Sequence, residues 1–421
     1  MNAGAAPFLR CTYDHTHAQP LGPAFYGCPT CAAEDRVAPM EVWYDYAGLA
    51  SALDRAFWRT AGASMWQYAP LLPVQEERYI VSLGTGNTPL LPSRHIGPAL
   101  GLDHLLFKHD AGSPTWSQKD RLQSVTVSMA QALGYQQLVA ISTGNFGASL
   151  AAHAAAAGLR ALVLCPEDVS PLLLRLIRSY GADVIVSAWG AAEQFLPVIV
   201  ARGDWYPVTS TAYAPPACPY GIEGAKTIAY ELFRQCGGRA PDAVLVPCAS
   251  GDTLAGIARG FAELKLLGQI ERLPRLYGCQ PDGAPALART IELGLDEVVA
   301  IDHPYSVATS TRERTSGVAA LRAIRASGGG APVASDTAIL EAVGQLAQEG
   351  LCVEPSSALP VACLAGLLAS NQIGREELVV CLLTSAGIKW PDTLGVGLAQ
   401  PEVIPASLDA LDRQLVKLGL L

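Results

Sequence analysis

Residues 138–201 alternate short β-branched runs with segments long enough to be helices, and this alternation constrains the fold more than any other feature of the chain. A strand over 138–142 leads into an alanine-rich helix over 146–157, closed by Gly158. A second strand over 161–165 precedes a helix over 171–180, closed by Gly181. A third strand over 182–187 is followed by a helix over 191–201. Strands of this length separated by helices are joined by crossovers, so the sheet they build is parallel and covered on both faces. The rhythm returns with a strand over 243–247, a helix over 254–267 and a strand over 378–383. The expected architecture is therefore α/β, doubly wound and rich in parallel strands. Ligands of such sheets bind outside the carboxyl ends of the strands, where the loops after residues 142, 247 and 383 fall.

Composition removes several function classes. The chain has 421 residues, half of them hydrophobic and only 16% charged, yet its apolar runs are short and broken by Gly and Pro. None approaches the ~20 residues that span a bilayer. The first ten residues lack a basic region followed by a long apolar stretch, so no secretory signal is expected there. A net charge of −9 argues against a nucleic-acid partner. The 11 cysteines are an odd number, and Cys165 and Cys381 lie in strand-like runs. They read as buried, reduced thiols of a cytoplasmic protein. Residues 1–40 have few periodic apolar positions and three closely placed cysteines. Residues 41–70, rich in Trp and Tyr, read as a helical lead-in, and 328–330 is a flexible-looking glycine run.

Four segments carry candidate chemistry. Lys119, in Ser113-Pro-Thr-Trp-Ser-Gln-Lys-Asp-Arg121, is placed before a helix. A lysine amine with a lowered pKa attacks aldehydes and afterwards shuttles protons; alone, a surface lysine would read equally well. Ser142-Thr143-Gly144-Asn145 follows a strand and opens a helix, where backbone N–H groups and the helix dipole favour a carboxylate. A simple Ser/Thr cap is the bland alternative. Ala249-Ser250-Gly251-Asp252-Thr253 is a second strand-to-helix turn suited to an anion, and Thr384 closes the last strand.

In this order the segments resemble the pyridoxal-phosphate enzymes of the tryptophan-synthase β fold (fold type II), most closely the threonine synthase branch. Gly86-Asn-Thr-Pro-Leu90, the run 221–230 and the run 353–358 extend the resemblance over most of the chain from Leu83 onward. It implies two doubly wound domains with the cofactor in the cleft between them. The large one would comprise 41–121 and 208–421 and the small one 122–207, after a ribbon-like extension over 1–40. Lys119 would be the Schiff-base lysine, and Asn145 would meet the cofactor's 3′ oxygen. Residues 249–253 would hold its phosphate, and Thr384 would face the ring nitrogen. Ser142, Thr143 and Gly144 would hold the substrate carboxylate, Arg312 or Arg314 would attract a second anionic group, and Glu354 would order the pocket.

The implied reaction converts O-phosphohomoserine and water to threonine and phosphate, in a homodimer acting on a small amino acid. A threonine or serine dehydratase and a β-replacement synthase, such as cysteate synthase, share the same residues. A degenerate ligand-binding relative is the non-enzyme reading. The departures are Trp116 for glycine, Gln118 for phenylalanine, Ala249 and Asp252 for glycines in the phosphate loop, and Arg314 for glycine. Asp252 is expected to turn away from the phosphate and cap its helix. The N-terminal cysteines resemble half of a zinc ribbon. Cys11, Cys28 and Cys31 with one of Asp14, His15 or His17 would complete a zinc site, and a metal-free ribbon is the alternative.

Overall fold

The computed structural model describes residues 6–209, 216–396, 398 and 401–421. Three sheets organise these residues. The first is antiparallel, in the order β2-β1-β3, from β1 (Phe8–Cys11), β2 (Ala18–Pro20) and β3 (Met40–Trp43). The largest has six strands. It draws on β4 (Leu90–Pro92), β5 (His104–His109), β10 (Ala243–Pro247), β11 (Arg275–Pro281), β12 (Val333–Ala334) and β13 (Leu378–Leu383), in the order β12-β11-β10-β13-β5-β4. All its pairings are parallel except the edge pair of β4 with β5. The third sheet is fully parallel, in the order β8-β7-β6-β9, from β6 (Gln137–Ile141), β7 (Arg160–Pro166), β8 (Asp183–Ser187) and β9 (Trp205–Pro207).

The repeating rhythm is thus realised nearly residue for residue, because buried parallel strands need continuous apolar runs such as β10 and β13, which are buried throughout. Helix ends follow their glycines: Gly158 closes Asn145–Ala157 at φ +69°, a conformation glycine adopts without a Cβ penalty. Residues 41–70 differ from a purely helical lead-in. They begin in β3, which pairs with β1, and continue through Tyr46–Ala52, Arg55–Arg59 and the 3₁₀ segment Met65–Leu71. The glycine run at 328–330 is not a flexible spot. Gly328 ends the helix Val318–Ser327, and a Cβ on Gly329 would lie 1.9 Å from the Leu276 carbonyl oxygen.

A buried polar network fixes the start of the helix Lys119–Ala132. Arg121, fully enclosed, donates to Asp110 at 2.7 Å and to Glu231 at 2.7 Å, and Lys108 on β5 donates to Glu231 at 2.6 Å. Each charge is paired, which is the condition for keeping it away from water. Asp120 is spoken for as well, accepting from Thr115 N and Oγ1 and from Ser149 Oγ. Lys119 is left as the residue of its triplet that faces the cleft.

Candidate active site

A cavity of ≈ 410 Å³ opens at the carboxyl ends of β6, β10 and β13, between the four- and six-stranded sheets. Its lining includes Lys119, Ser142, Thr143, Asn145, all of residues 249–253, Glu354 and Thr384. Residues far apart in sequence therefore meet in one place, and short backbone contacts bring them together. Gln118 N donates to the Thr384 carbonyl at 2.8 Å, Ser117 bridges Ser385, and Ala386 bridges Val353. The turn before Lys119 is in this way stitched to the end of β13 and to the start of the helix Pro355–Ala369.

Burial pushes the Lys119 amine below its ordinary pKa. The negative charges of Asp252, Glu354 and Glu313 and the Cys248 thiol oppose that shift. Its Nζ lies 5.9 Å from the centre of the Phe146 ring. Asn145, the first residue of its helix, donates through Nδ2 to Glu354 Oε2 at 2.9 Å and to Ser310 Oγ at 3.3 Å. Its Oδ1 is buried without a hydrogen-bond partner. Glu354 also accepts from the Trp390 indole.

Ser142 is committed to the loop, accepting from Gly144 N at 3.0 Å and Gly147 N at 2.7 Å. Gly144 sits at φ +153°, and a Cβ there would lie 2.4 Å from Leu173 Cδ1. Thr143 lines the cavity half-buried. In the second loop Gly251 takes φ +91° as the residue before the 15-residue helix Asp252–Leu266. A Cβ on it would lie 2.4 Å from Ala320 Cβ, so the tight turn admits no side chain.

Asp252 departs from expectation. It is the first residue of its helix rather than the cap, and it contributes the largest of the charge effects that raise the Lys119 pKa. It has therefore not turned away from the site. Thr384 Oγ1 lies 2.8 Å from Ser357 Oγ, whose oxygen also accepts from Ser385 N at 2.8 Å. Ser357 lies within the run 353–358, but only the tertiary contact reveals that it holds Thr384.

Arg312 pairs with Asp168 at 2.6 Å, while the cavity wall in that stretch comes from Ser310, Thr311 and Glu313. Arg314 is exposed. Trp189, Glu193, Leu196 and Pro197 line the opposite wall without any sequence signal that marked them. Among the described lining residues Lys119 is the one cation, against the carboxylates of Glu193, Asp252, Glu313 and Glu354. The N-terminal cysteines do meet: the sulfurs of Cys11, Cys28 and Cys31 lie within 4.8 Å of one another, all buried. Burial and the neighbouring thiols push the Cys31 thiol up to about 12. Asp14 and His15 are exposed, and His17 Nδ1 is engaged with Thr30 Oγ1 at 3.2 Å.

Residues 81–385 match the profile of a family described as pyridoxal-phosphate dependent enzyme. The threonine synthase of Methanocaldococcus jannaschii is 34% identical over 385 residues, covering 90% of this chain and 94% of that protein. The threonine synthase of Synechocystis sp. is 36% identical over 331 residues, covering 77% and 82%. Among solved structures, a T.th. threonine deaminase is 28% identical with a TM-score of 0.59, covering 71% of this chain and 92% of that one. Maize serine racemase is similar in fold, with a TM-score of 0.61 at 20% identity over 78% of this chain and 92% of that one.

Proposed function

The chain belongs to the pyridoxal-phosphate-dependent enzyme family, and on that footing we propose that it is a threonine synthase-like lyase. It removes the α-proton of a small amino acid and expels a leaving group from the side chain. The observation that carries this reading is the convergence of Lys119, Asn145, residues 249–253 and Thr384 on one cavity.

The residues present fit the cofactor. The N–H groups of the first turn of the helix Asp252–Leu266 have no intrahelical acceptor, and the side-chain-free turn at Gly251 suits a phosphate approaching the backbone. The orphaned Oδ1 and the Nδ2 of Asn145 suit the ring's oxygen substituent. Thr384, held by Ser357, offers the ring nitrogen a neutral partner, which suits elimination and replacement. When bound, pyridoxal phosphate supplies an electron sink for the charge that develops at the substrate's α-carbon.

Lys119 would hold the cofactor through Nζ and carry the α-proton there. Its lowered pKa leaves more neutral amine near pH 7 than an exposed lysine would have. Thr143 and the N–H groups of the Ser142–Asn145 turn would hold the substrate carboxylate, with Ser142 Oγ keeping that turn closed.

O-phosphohomoserine, turned over to threonine and phosphate, is the first substrate to test. Phosphate, ammonia and 2-oxo acid are followed with O-phosphohomoserine, O-phosphoserine, threonine and serine supplied separately. Turnover of at least one by protein that shows bound-cofactor absorbance supports the lyase reading. Absence of that absorbance would overturn it. A second reading, dehydration or β-replacement at an uncharged leaving group, is favoured by the scarcity of cations in the lining.

The same proposal divides the chain as the sheets do, with a small unit around β6–β9 and a large one around β10–β13. It also makes the enzyme a cytoplasmic homodimer. Among the described residues no helix is long and apolar enough to cross a membrane. The ribbon is assigned a structural role. Its three gathered thiols fall one ligand short of a structural zinc site among the described residues. Elemental analysis is expected to find no stoichiometric zinc, and zinc lost in Cys28→Ser would reverse that assignment.

A further inference from the structure

We propose that Gln118 selects the substrate by its side-chain chemistry: its amide oxygen accepts a hydrogen bond from an uncharged hydroxyl, amide or amine on the reacting side chain, and the cavity rejects a phosphate there. This deepens the lyase reading and rests on Lys119 being the lysine that holds the cofactor.

Gln118 directly precedes Lys119, is 3% exposed, and still lines the cavity. Its Nε2 donates to Thr253 Oγ1 at 2.9 Å, which holds the side chain between the lysine turn and the start of the helix Asp252–Leu266. Its Oε1 is buried with no hydrogen-bond partner. A buried amide oxygen without a donor is costly, and one that borders a cavity is satisfied by whatever enters. The phenylalanine expected at this position would offer no acceptor, so the substitution adds a polar demand beside the reactive amine.

Charge points the same way. Lys119 is the one cation among the described lining residues, and four carboxylates accompany it. The cofactor's own phosphate would add to that negative charge. Arg312, expected to serve a second anion, is held by Asp168 at 2.6 Å beside Trp189, and Arg314 is exposed. Residues 210–215, between the lining residues Thr209 and Pro216, contain no lysine or arginine. A dianionic side chain would therefore lose its water and meet like charge. The wall of Trp189, Leu196 and Pro197 accepts a small, uncharged side chain without that cost.

The test uses cofactor-loaded protein and reads dissociation constants from changes in its visible spectrum. Serine and threonine are compared with O-acetylserine, O-phosphoserine and O-phosphohomoserine. The hydroxyl amino acids should bind about tenfold or more tightly than the phosphorylated pair. Gln118→Leu and Gln118→Phe should lower the preference for serine over O-acetylserine by about 3–10-fold, the worth of one hydrogen bond. Gln118→Glu, of the same shape, should keep that preference and weaken the phosphorylated ligands further.

Equal or tighter binding of the phosphorylated pair by the unaltered protein would overturn the proposal, and would mean that the amide nitrogen faces the substrate. An unchanged serine preference in all three variants would also overturn it. A protein without bound-cofactor absorbance would overturn the lyase reading and this proposal with it. A normal spectrum with the wrong ligand order defeats only the proposal.

Discussion

Arg312 donates to Asp168 Oδ2 at 2.6 Å, and its guanidinium carbon lies 5.2 Å from the centre of the Trp189 ring. Arg312 lies between β11 and β12 of the six-stranded sheet, whereas Asp168 and Trp189 follow β7 and β8 of the four-stranded one. One side chain thus ties the two sheets together beside the cavity. The pair is partly exposed, so a double-mutant cycle of Arg312→Ala and Asp168→Ala should give a coupling of no more than about 1 kcal/mol, smaller at high salt. The single variants should raise KM while leaving cofactor absorbance intact. Loss of the absorbance in Arg312→Ala would place that arginine in the cofactor site instead.

Trp116 occupies a backbone conformation that suits glycine. Its φ is +58°, its carbonyl accepts from Ala386 N and Ser385 Oγ, and its ring is 44% exposed. The position expected to be glycine therefore carries a bulky residue in the left-handed region, with little burial to compensate. Trp116→Gly should stabilise the protein by up to about 1 kcal/mol, less what glycine adds to the entropy of the unfolded chain. Trp116→Ala should not. Denaturant unfolding of the two variants separates these outcomes, and equal loss of stability in both would show that the ring itself is needed.

Glu349 gives a pH dependence with a definite sign. Its carboxylate accepts from Ser93 Oγ and from the backbone N–H groups of Arg94, His95 and Ile96, which hold its pKa at about 2 against desolvation. Because the folded pKa is depressed, the stabilisation is present above the unfolded value near 4.5 and is lost as pH falls towards 2. Glu349→Gln should cost about 1 kcal/mol at pH 7, a figure already reduced for partial exposure. The gap between the two proteins should close as unfolding is measured at successively lower pH below 4.5. A gap independent of pH would show that the carboxylate charge contributes nothing.

The parallel strands and the helices after them were legible because buried strands impose continuous apolar runs and glycines mark helix ends. Strand β5 was not, since its Lys108 looks like a solvent residue until Thr88, Glu231 and Gln235 are seen to absorb its ammonium. Lys119 was legible from its motif, and Asn145 and Thr384 from their places after strands. Arg312 was misleading, because whether an arginine serves a ligand or a neighbouring aspartate depends on how the two sheets pack. Asp252 was misread for a related reason: a repulsion argued against the cofactor phosphate alone left out the attraction of the nearby lysine. Ser357 and Trp189 have roles set wholly by tertiary contact, and no local spacing announces them.

The central claim is that Lys119 holds the cofactor. Borohydride is added to the protein loaded with pyridoxal phosphate, and the fixed label is located by peptide mapping. The account predicts one labelled peptide carrying the modification on Lys119, and loss of both label and visible absorbance in Lys119→Ala. A label on Lys389, the other buried lysine at this end of the fold, or full activity in Lys119→Ala, would contradict it.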